Sequence, residues 1–103
     1  MPTREQIEKL LRAEPDDVFL NYSLAMQFAK EALFDDALRQ FDRVIALDPD
    51  YCAAYHHKAN TQVAAGQLDA ARRTLEAGTQ AAQRAGNSHA HSEMLELLAS
   101  IEG

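Results

Sequence analysis

The chain has 103 residues, 47% of them hydrophobic and 25% charged, and a formal net charge of −6. This length fits a single domain, residues 1–103, that buries a core without disulfides or a structural metal. Its ten basic residues are scattered among sixteen acidic ones. Because phosphate neutralisation needs clustered Lys and Arg, the composition argues against a nucleic-acid or anionic-membrane partner.

The opening segment has no apolar run of seven or more residues, so we expect neither a signal peptide nor a membrane anchor. The single cysteine, Cys52, cannot form an internal disulfide. A free thiol is easiest to keep in a reducing cytosol. We therefore expect a cytoplasmic protein in which Cys52 is a small buried residue rather than a reactive one.

The first helix is predicted over residues 3–14. Thr3 and Gln6 have the spacing of a capping box, and Pro15 stops the helix. Its predicted apolar stripe consists of Ile7, Leu10 and Leu11.

The second and third helices are predicted to form a hairpin. Asp16 or Asp17 caps the second helix, which runs to about Glu31. Asp35 caps the third helix, which ends at the Asp48–Pro49 step. The inward side chains predicted for the third helix are Ala37, Leu38, Phe41, Val44 and Ile45.

Three more helices complete an all-α prediction. The fourth runs from Tyr51 to about Ala64, with a turn at Gly66. The fifth runs from Asp69 to about Ala85, where Gly86 supplies a left-handed cap. The sixth follows Asn87 or Ser88, and its apolar stripe is predicted to be Ala90, Met94, Leu97, Leu98 and Ile101. Short loops between six helices predict antiparallel neighbours.

The helices repeat with a spacing of 34 residues, which relates Ala25 to Ala59, Ala37 to Ala71 and Phe41 to Leu75. The first repeat reads Asn21-x-x-Leu24-Ala25-x-x-Phe28, then Ala37-x-x-x-Phe41, then Pro49. The second reads Tyr55-x-x-Lys58-Ala59-x-x-Gln62, Gly66, then Ala71-x-x-x-Leu75, and has no closing proline.

This pattern resembles the tetratricopeptide repeat. The resemblance implies an α-solenoid of helix hairpins, with a leading half repeat at 3–14, repeats at 18–51 and 52–86, and a capping helix at 87–103. In the second repeat, Lys58 and Gln62 depart from the apolar types of the family.

No catalytic or metal-binding pattern occurs in the sequence. Adjacent residues on a helix point about 100° apart, so His56 and His57 do not form a chelating pair, and neither do His89 and His91. There is no Gly-rich phosphate loop and no nucleophile with an evident base. We therefore expect no enzyme activity, no cofactor and no metal.

The second helix carries apolar residues on two sides rather than one. The resemblance implies that the first helix of each repeat lines a concave surface that holds a peptide or a helix. The residues at the matching positions are Phe19, Tyr22, Met26, Lys30, His56, His57 and Asn60. The alternative is that neighbouring helices already cover these side chains.

Some family members grip the carboxylate end of chaperone tails through Lys and Asn. At the corresponding positions this chain has Tyr22, Met26 and His57, so a chaperone-tail ligand is not expected. A segment with large apolar anchors and an acidic flank fits better.

The leading functional hypothesis is therefore a non-catalytic adaptor that binds a peptide or protein. The alternative is a self-associating homo-oligomer, because two repeats make a short solenoid with much exposed end surface.

Overall fold

The computed structural model describes residues 2–102, which form six helices and no strand. The helices are α1 (Arg4–Ala13), α2 (Val18–Lys30), α3 (Phe34–Leu47), α4 (Cys52–Ala64), α5 (Leu68–Arg84) and α6 (Ser88–Glu102). This confirms the prediction of an all-α fold with six helices.

Side chains cap three helix starts, and the caps of α1 and α2 are as predicted. At α1, the Gln6 N–H donates to Thr3 Oγ1 (3.2 Å) and the Thr3 N–H donates to Gln6 Oε1 (2.8 Å), which completes the capping box. At α2, Asp17 accepts from the Leu20 N–H (2.8 Å). At α6, Asn87 accepts from the Ala90 N–H (3.0 Å).

The predicted cap at Asp35 and the predicted start of the fifth helix at Asp69 are wrong. Helix α3 begins at Phe34 with Leu33 in the cap position, and α5 begins at Leu68. Both aspartates lie instead in the first helical turn, where a negative charge is still favourable at the positive end of the helix dipole. The fourth helix also begins one residue later than predicted, because Tyr51 occupies its cap position.

The tight turn inside each hairpin explains these early starts. Ala32 and Gly66 adopt left-handed backbone angles, with φ of 59° and 78°. The next N–H groups then donate back to the preceding helix, Leu33 to the Phe28 carbonyl (2.9 Å) and Gln67 to the Gln62 carbonyl (2.8 Å). The turn therefore fixes the first residue of the next helix without a side-chain cap.

Small residues lie at the centre of both hairpins, α2–α3 and α4–α5. Ala25, Ala37, Ala59 and Ala71 are all fully buried. Such side chains let two helix backbones approach closely. The helices then stack in chain order, with α1 against α2, α3 against α4 and α5 against α6.

Two core clusters follow from this stacking. The first consists of Ala25, Ala37, Phe41, Val44 and Ala54. The second consists of Cys52, Tyr55, Ala59, Leu75, Ala81, Ala82 and Met94. The predicted stripe of α6 packs against the second cluster. Cys52 is buried as expected, and burial is the main cause that raises the pKa of its thiol.

The prediction for α1 is only partly correct. Ile7 is buried, but Leu10 is 51% exposed. Helix α1 packs against α2 and against no other helix. Only one narrow face of α1 is therefore covered, and Leu10 lies outside it.

In each repeat, the side chain at the same position of the first helix donates a hydrogen bond to the loop that precedes the hairpin. Asn21 Nδ2 donates to the Pro15 carbonyl (3.0 Å), and 34 residues later the Tyr55 hydroxyl donates to the Pro49 carbonyl (2.6 Å). The two side chains differ in type, but each connects the first helix of its repeat to the preceding loop.

Polar bonds replace apolar packing at the unusual positions of the second repeat. Lys58 Nζ lies 2.7 Å from Asp42 Oδ1 on α3. The Thr74 hydroxyl donates to Gln62 Oε1 (2.7 Å) inside the hairpin. Both departures from the family pattern are therefore satisfied, and α4 packs closely on α5.

Helices α4 and α6 both lie close to Gly78 on α5, and Gly78 stands where the first repeat has Val44. A Cβ on Gly78 would lie 2.6 Å from Met94 Sδ and 2.7 Å from Tyr55 Cβ.

We expect Gly78→Ala to lower the free energy of unfolding by about 1–3 kcal/mol, because Tyr55 Cβ cannot move without its helix. Helix propensity alone would raise it by about 1 kcal/mol. Urea melts of this variant and of Gln80→Ala, an exposed change in the same helix, check the sign. Stabilisation by Gly78→Ala would contradict the packing of α4, α5 and α6.

Candidate functional site

The seven predicted groove residues lie on α2 and α4 with different exposures. Phe19 is 64% exposed, and Lys30 and Asn60 are also exposed. The half-buried residues are Tyr22, Met26, His56 and His57. On α2 the spacing of Phe19, Tyr22, Met26 and Lys30 places them along one side of the helix.

Tyr22 joins the two helices at the middle of this surface. Its ring centroid lies 5.9 Å from that of His57 in an edge-on arrangement, 5.2 Å from that of Tyr51 and 6.3 Å from that of Phe41. Burial, followed by the nearby Tyr51, raises the pKa of Tyr22. Tyr22 therefore forms a wall that is fixed to the first core cluster.

A cavity of about 310 Å³ lies beside this wall, between α2, α4 and the start of α3. Four of its lining residues were predicted, namely Met26, Lys30, His57 and Asn60. The other four lining residues were not predicted from the sequence, and they are Ala29, Phe34, Thr61 and Ala64. Three of these lie three or four residues from a predicted residue on the same helix, and that spacing could have identified them.

The other three predicted residues lie outside this cavity. Phe19 is at the opposite end of α2 from Lys30, and Tyr22 forms the wall. The His56 ring lies 5.5 Å from the His57 ring, but His56 does not line the cavity. The structure therefore brings four of the seven residues together at the cavity, and the other three lie outside it.

Neighbouring helices cover only part of this surface. Tyr22 and Met26 pack against the first core cluster but keep part of their area accessible. Phe19, Lys30 and Asn60 remain exposed. The surface between α2 and α4 thus has half-buried Tyr22 at its centre, and exposed apolar and polar side chains surround it.

The electrostatics of the surface depend on His57. Burial lowers its pKa most, His56 lowers it further, and Glu93 on α6 opposes both. Glu93 also lies 3.3 Å from His89. Lys30 is the one Lys or Arg that lines the cavity, so its mouth favours an acidic group.

Within residues 2–102, no group of three or more His, Cys, Asp or Glu side chains could hold a metal ion. Over the same residues, no helix is both long and apolar enough to cross a membrane.

Comparisons with known proteins agree with this architecture. The sequence profile of the tetratricopeptide repeat matches residues 28–101, and the chain belongs to this family. No curated protein matches the chain at a significant level.

Several solved structures share the fold. The solution structure of BPP2914 from Bordetella parapertussis is 26% identical, with a TM-score of 0.87 over 99% of this chain and 89% of that one. The TPR2B domain of yeast Sti1 in its complex with pHsp70 is 23% identical, with a TM-score of 0.89 over 96% and 79%. PcrH in complex with the chaperone-binding region of PopD is 15% identical, with a TM-score of 0.88 over 96% and 75%.

The lowered pKa of His57 gives a testable pH dependence. The unfolded chain binds a proton at His57 near pH 6.5, whereas the folded chain binds it only at lower pH. The contribution of His57 to stability is therefore complete above about pH 6.5 and is lost as the pH falls towards the folded pKa. NMR titration of the His57 ring, assigned with His57→Gln, should give a midpoint below 6.5. A midpoint at or above 6.5 would show that His57 is not desolvated by Tyr22 and its neighbours.

Proposed function

We propose that the protein is a non-catalytic adaptor that binds a polypeptide segment on the surface between α2 and α4. The observation that carries this proposal is the cavity lined by Met26, His57 and Asn60, which opens beside Lys30. It combines an adaptable thioether, donors and acceptors, and one cation, as protein-binding surfaces do.

The proposed ligand is an extended or helical segment with a large apolar anchor. The anchor side chain enters the cavity against Met26 and Phe34, and Asn60 supplies polar contacts at the edge. An acidic residue of the ligand pairs with Lys30, and a second apolar side chain packs on Phe19. The complexes of yeast Sti1 with pHsp70 and of PcrH with the chaperone-binding region of PopD support polypeptide binding by this fold. Tyr22 and Met26 replace the family's carboxylate clamp, so we do not propose a chaperone tail.

We propose a cytoplasmic location on the basis of the free thiol of Cys52.

Two exposed side chains provide a test that does not disturb the core. Peptides are selected against the intact protein from a displayed random library, and their affinities are measured by calorimetry. Phe19→Ala combined with Asn60→Ala should weaken binding by about 2 kcal/mol or more, as truncation of an anchor contact does. The free energy of unfolding should change by less than about 0.5 kcal/mol per substitution, because both side chains are exposed.

Leu68→Ala is the matched control, since Leu68 is a 45% exposed apolar residue on α5 and lies outside this surface. Its affinity for the selected peptides should equal that of the unaltered protein. If the Phe19 and Asn60 double variant binds as tightly as the control, the polypeptide does not lie between α2 and α4.

The two ends of the helix stack support a second candidate, end-to-end self-association. At the first end, exposed Leu10 lines a mainly apolar cavity with Pro2 and Ala13. At the other end, Leu95 on α6 is 45% exposed. Contact between unlike ends is heterologous and extends into open chains unless it closes into a ring.

Sedimentation velocity over the micromolar range tests this candidate. If the ends associate, the mean mass rises with concentration, and Leu10→Glu restores the monomer because a charge is placed in an apolar contact. Glu5→Gln, a change of an exposed residue in the same helix, should leave the association intact. A monomer at every concentration removes the candidate.

A further inference from the structure

A second cavity, of about 470 Å³, lies on the opposite side of α4 from His57 and Asn60. It is bordered by α3 and α5, and α4 forms its floor. At about 100° per residue, Lys58 and Gln62 lie far around the helix from His57 and Asn60. The cavity is therefore separate from the surface assigned to polypeptide binding above.

The floor of this cavity is polar where the first repeat is apolar. Lys58 and Gln62 occupy the positions of Leu24 and Phe28 one repeat earlier. Each side chain makes one bond within the protein, Lys58 to Asp42 and Gln62 to the Thr74 hydroxyl, so the fold tolerates the exchange. These bonds do not use every hydrogen-bond donor of the two side chains.

Two residues of the cavity, Gln62 and Lys58, keep hydrogen-bond donors that no other residue described uses. Gln62 is only 6% exposed, and its Oε1 accepts from the Thr74 hydroxyl. Its amide nitrogen donates to no residue among those described. Within residues 2–102, every fully buried side-chain nitrogen has a hydrogen-bond partner. The unbonded Gln62 nitrogen is therefore accessible, and it faces the cavity that Gln62 lines. Lys58 has three N–H donors, of which Asp42 engages one side.

Arg73 adds a positive charge that has no partner within residues 2–102. Its equivalent in the first repeat, Arg39, pairs with Asp36 one turn earlier. The residue equivalent to Asp36 is Ala70, so Arg73 has no acid at that position. The charge of Lys58 is neutralised by Asp42, whereas the charge of Arg73 is not neutralised by a residue of the cavity. The cavity therefore has a net positive charge.

From this arrangement we infer a second interaction site on α3, α4 and α5 that takes the acidic side chain of a partner polypeptide. The carboxylate accepts from Gln62, Lys58 and Arg73, and its methylene stem packs on Ile45, Ala70 and Ala77. The cavity is open to solvent and exceeds the size of one carboxylate and its stem, so it also has room for the adjoining polypeptide backbone.

The test uses two blocked amino acids as probes. N-acetyl-glutamate N-methylamide is titrated into the nitrogen-15-labelled protein while the Gln62 side-chain amide and the Arg73 Nε–H signals are followed. N-acetyl-glutamine N-methylamide has the same shape without the charge. We expect saturable shifts at both groups with the glutamate probe and none with the glutamine probe.

Variants then separate this site from general charge effects. Arg73→Gln should weaken binding of the glutamate probe roughly tenfold, the fold-change expected for one charge-assisted hydrogen bond. Arg39→Gln removes the same charge at the equivalent position and should change nothing. Lys58→Leu, which restores the family's residue type, should abolish binding without lowering the melting temperature. The Phe19 and Asn60 double variant should bind the probe normally, because the site does not depend on the other surface.

Four results would overturn the inference. Equal shifts with both probes, or no shift at Gln62 at millimolar probe, would show that the cavity does not select a carboxylate. Equal weakening by Arg73→Gln and Arg39→Gln would reduce the effect to net charge. Binding of free propionate as tight as that of the blocked glutamate would exclude a polypeptide as the ligand.

Discussion

The close crossing of helices at buried alanines is the constraint on which the rest of the structure depends. Ala25 and Ala37 in the first hairpin, and Ala59 and Ala71 in the second, leave no room for larger side chains. Because the crossings repeat after 34 residues, α2 and α4 are presented to the same side of the stack. Tyr22 then reaches His57 across the two hairpins, and the cavity beside them follows from that geometry.

Helix α4 is polar at the two positions where α2 has Leu24 and Phe28. One side carries His57 and Asn60 at the cavity shared with α2, and the other carries Lys58 and Gln62 at the cavity bordered by α3 and α5. A helix that only filled the core would have apolar residues on the second side, as α2 has with Leu24. Helix α4 thus contributes to both proposed interaction surfaces, and its packing on α5 is maintained by Ala59 and by the Gln62–Thr74 bond.

The sequence predicted the number and order of the helices because their capping side chains and turn glycines are local signals. It failed at Asp35 and Asp69, where a backbone turn rather than a side chain sets the helix start. It also failed at Leu10, since periodicity shows an apolar stripe but not how many neighbours cover it. The groove residues were predicted from family positions on α2 and α4. Phe34 joins the cavity from α3 through tertiary packing, which no spacing on one helix reveals.

The most direct test of the central proposal is to map a bound peptide on the protein by NMR. A peptide selected against the intact protein is titrated into the labelled chain, and backbone and side-chain shifts are followed at saturation. The account predicts the largest changes at Phe19, Met26 and Asn60, with small changes at Leu10 and Leu95 at the two ends of the stack. Changes concentrated at those ends, with none at Met26 or Asn60, would contradict it.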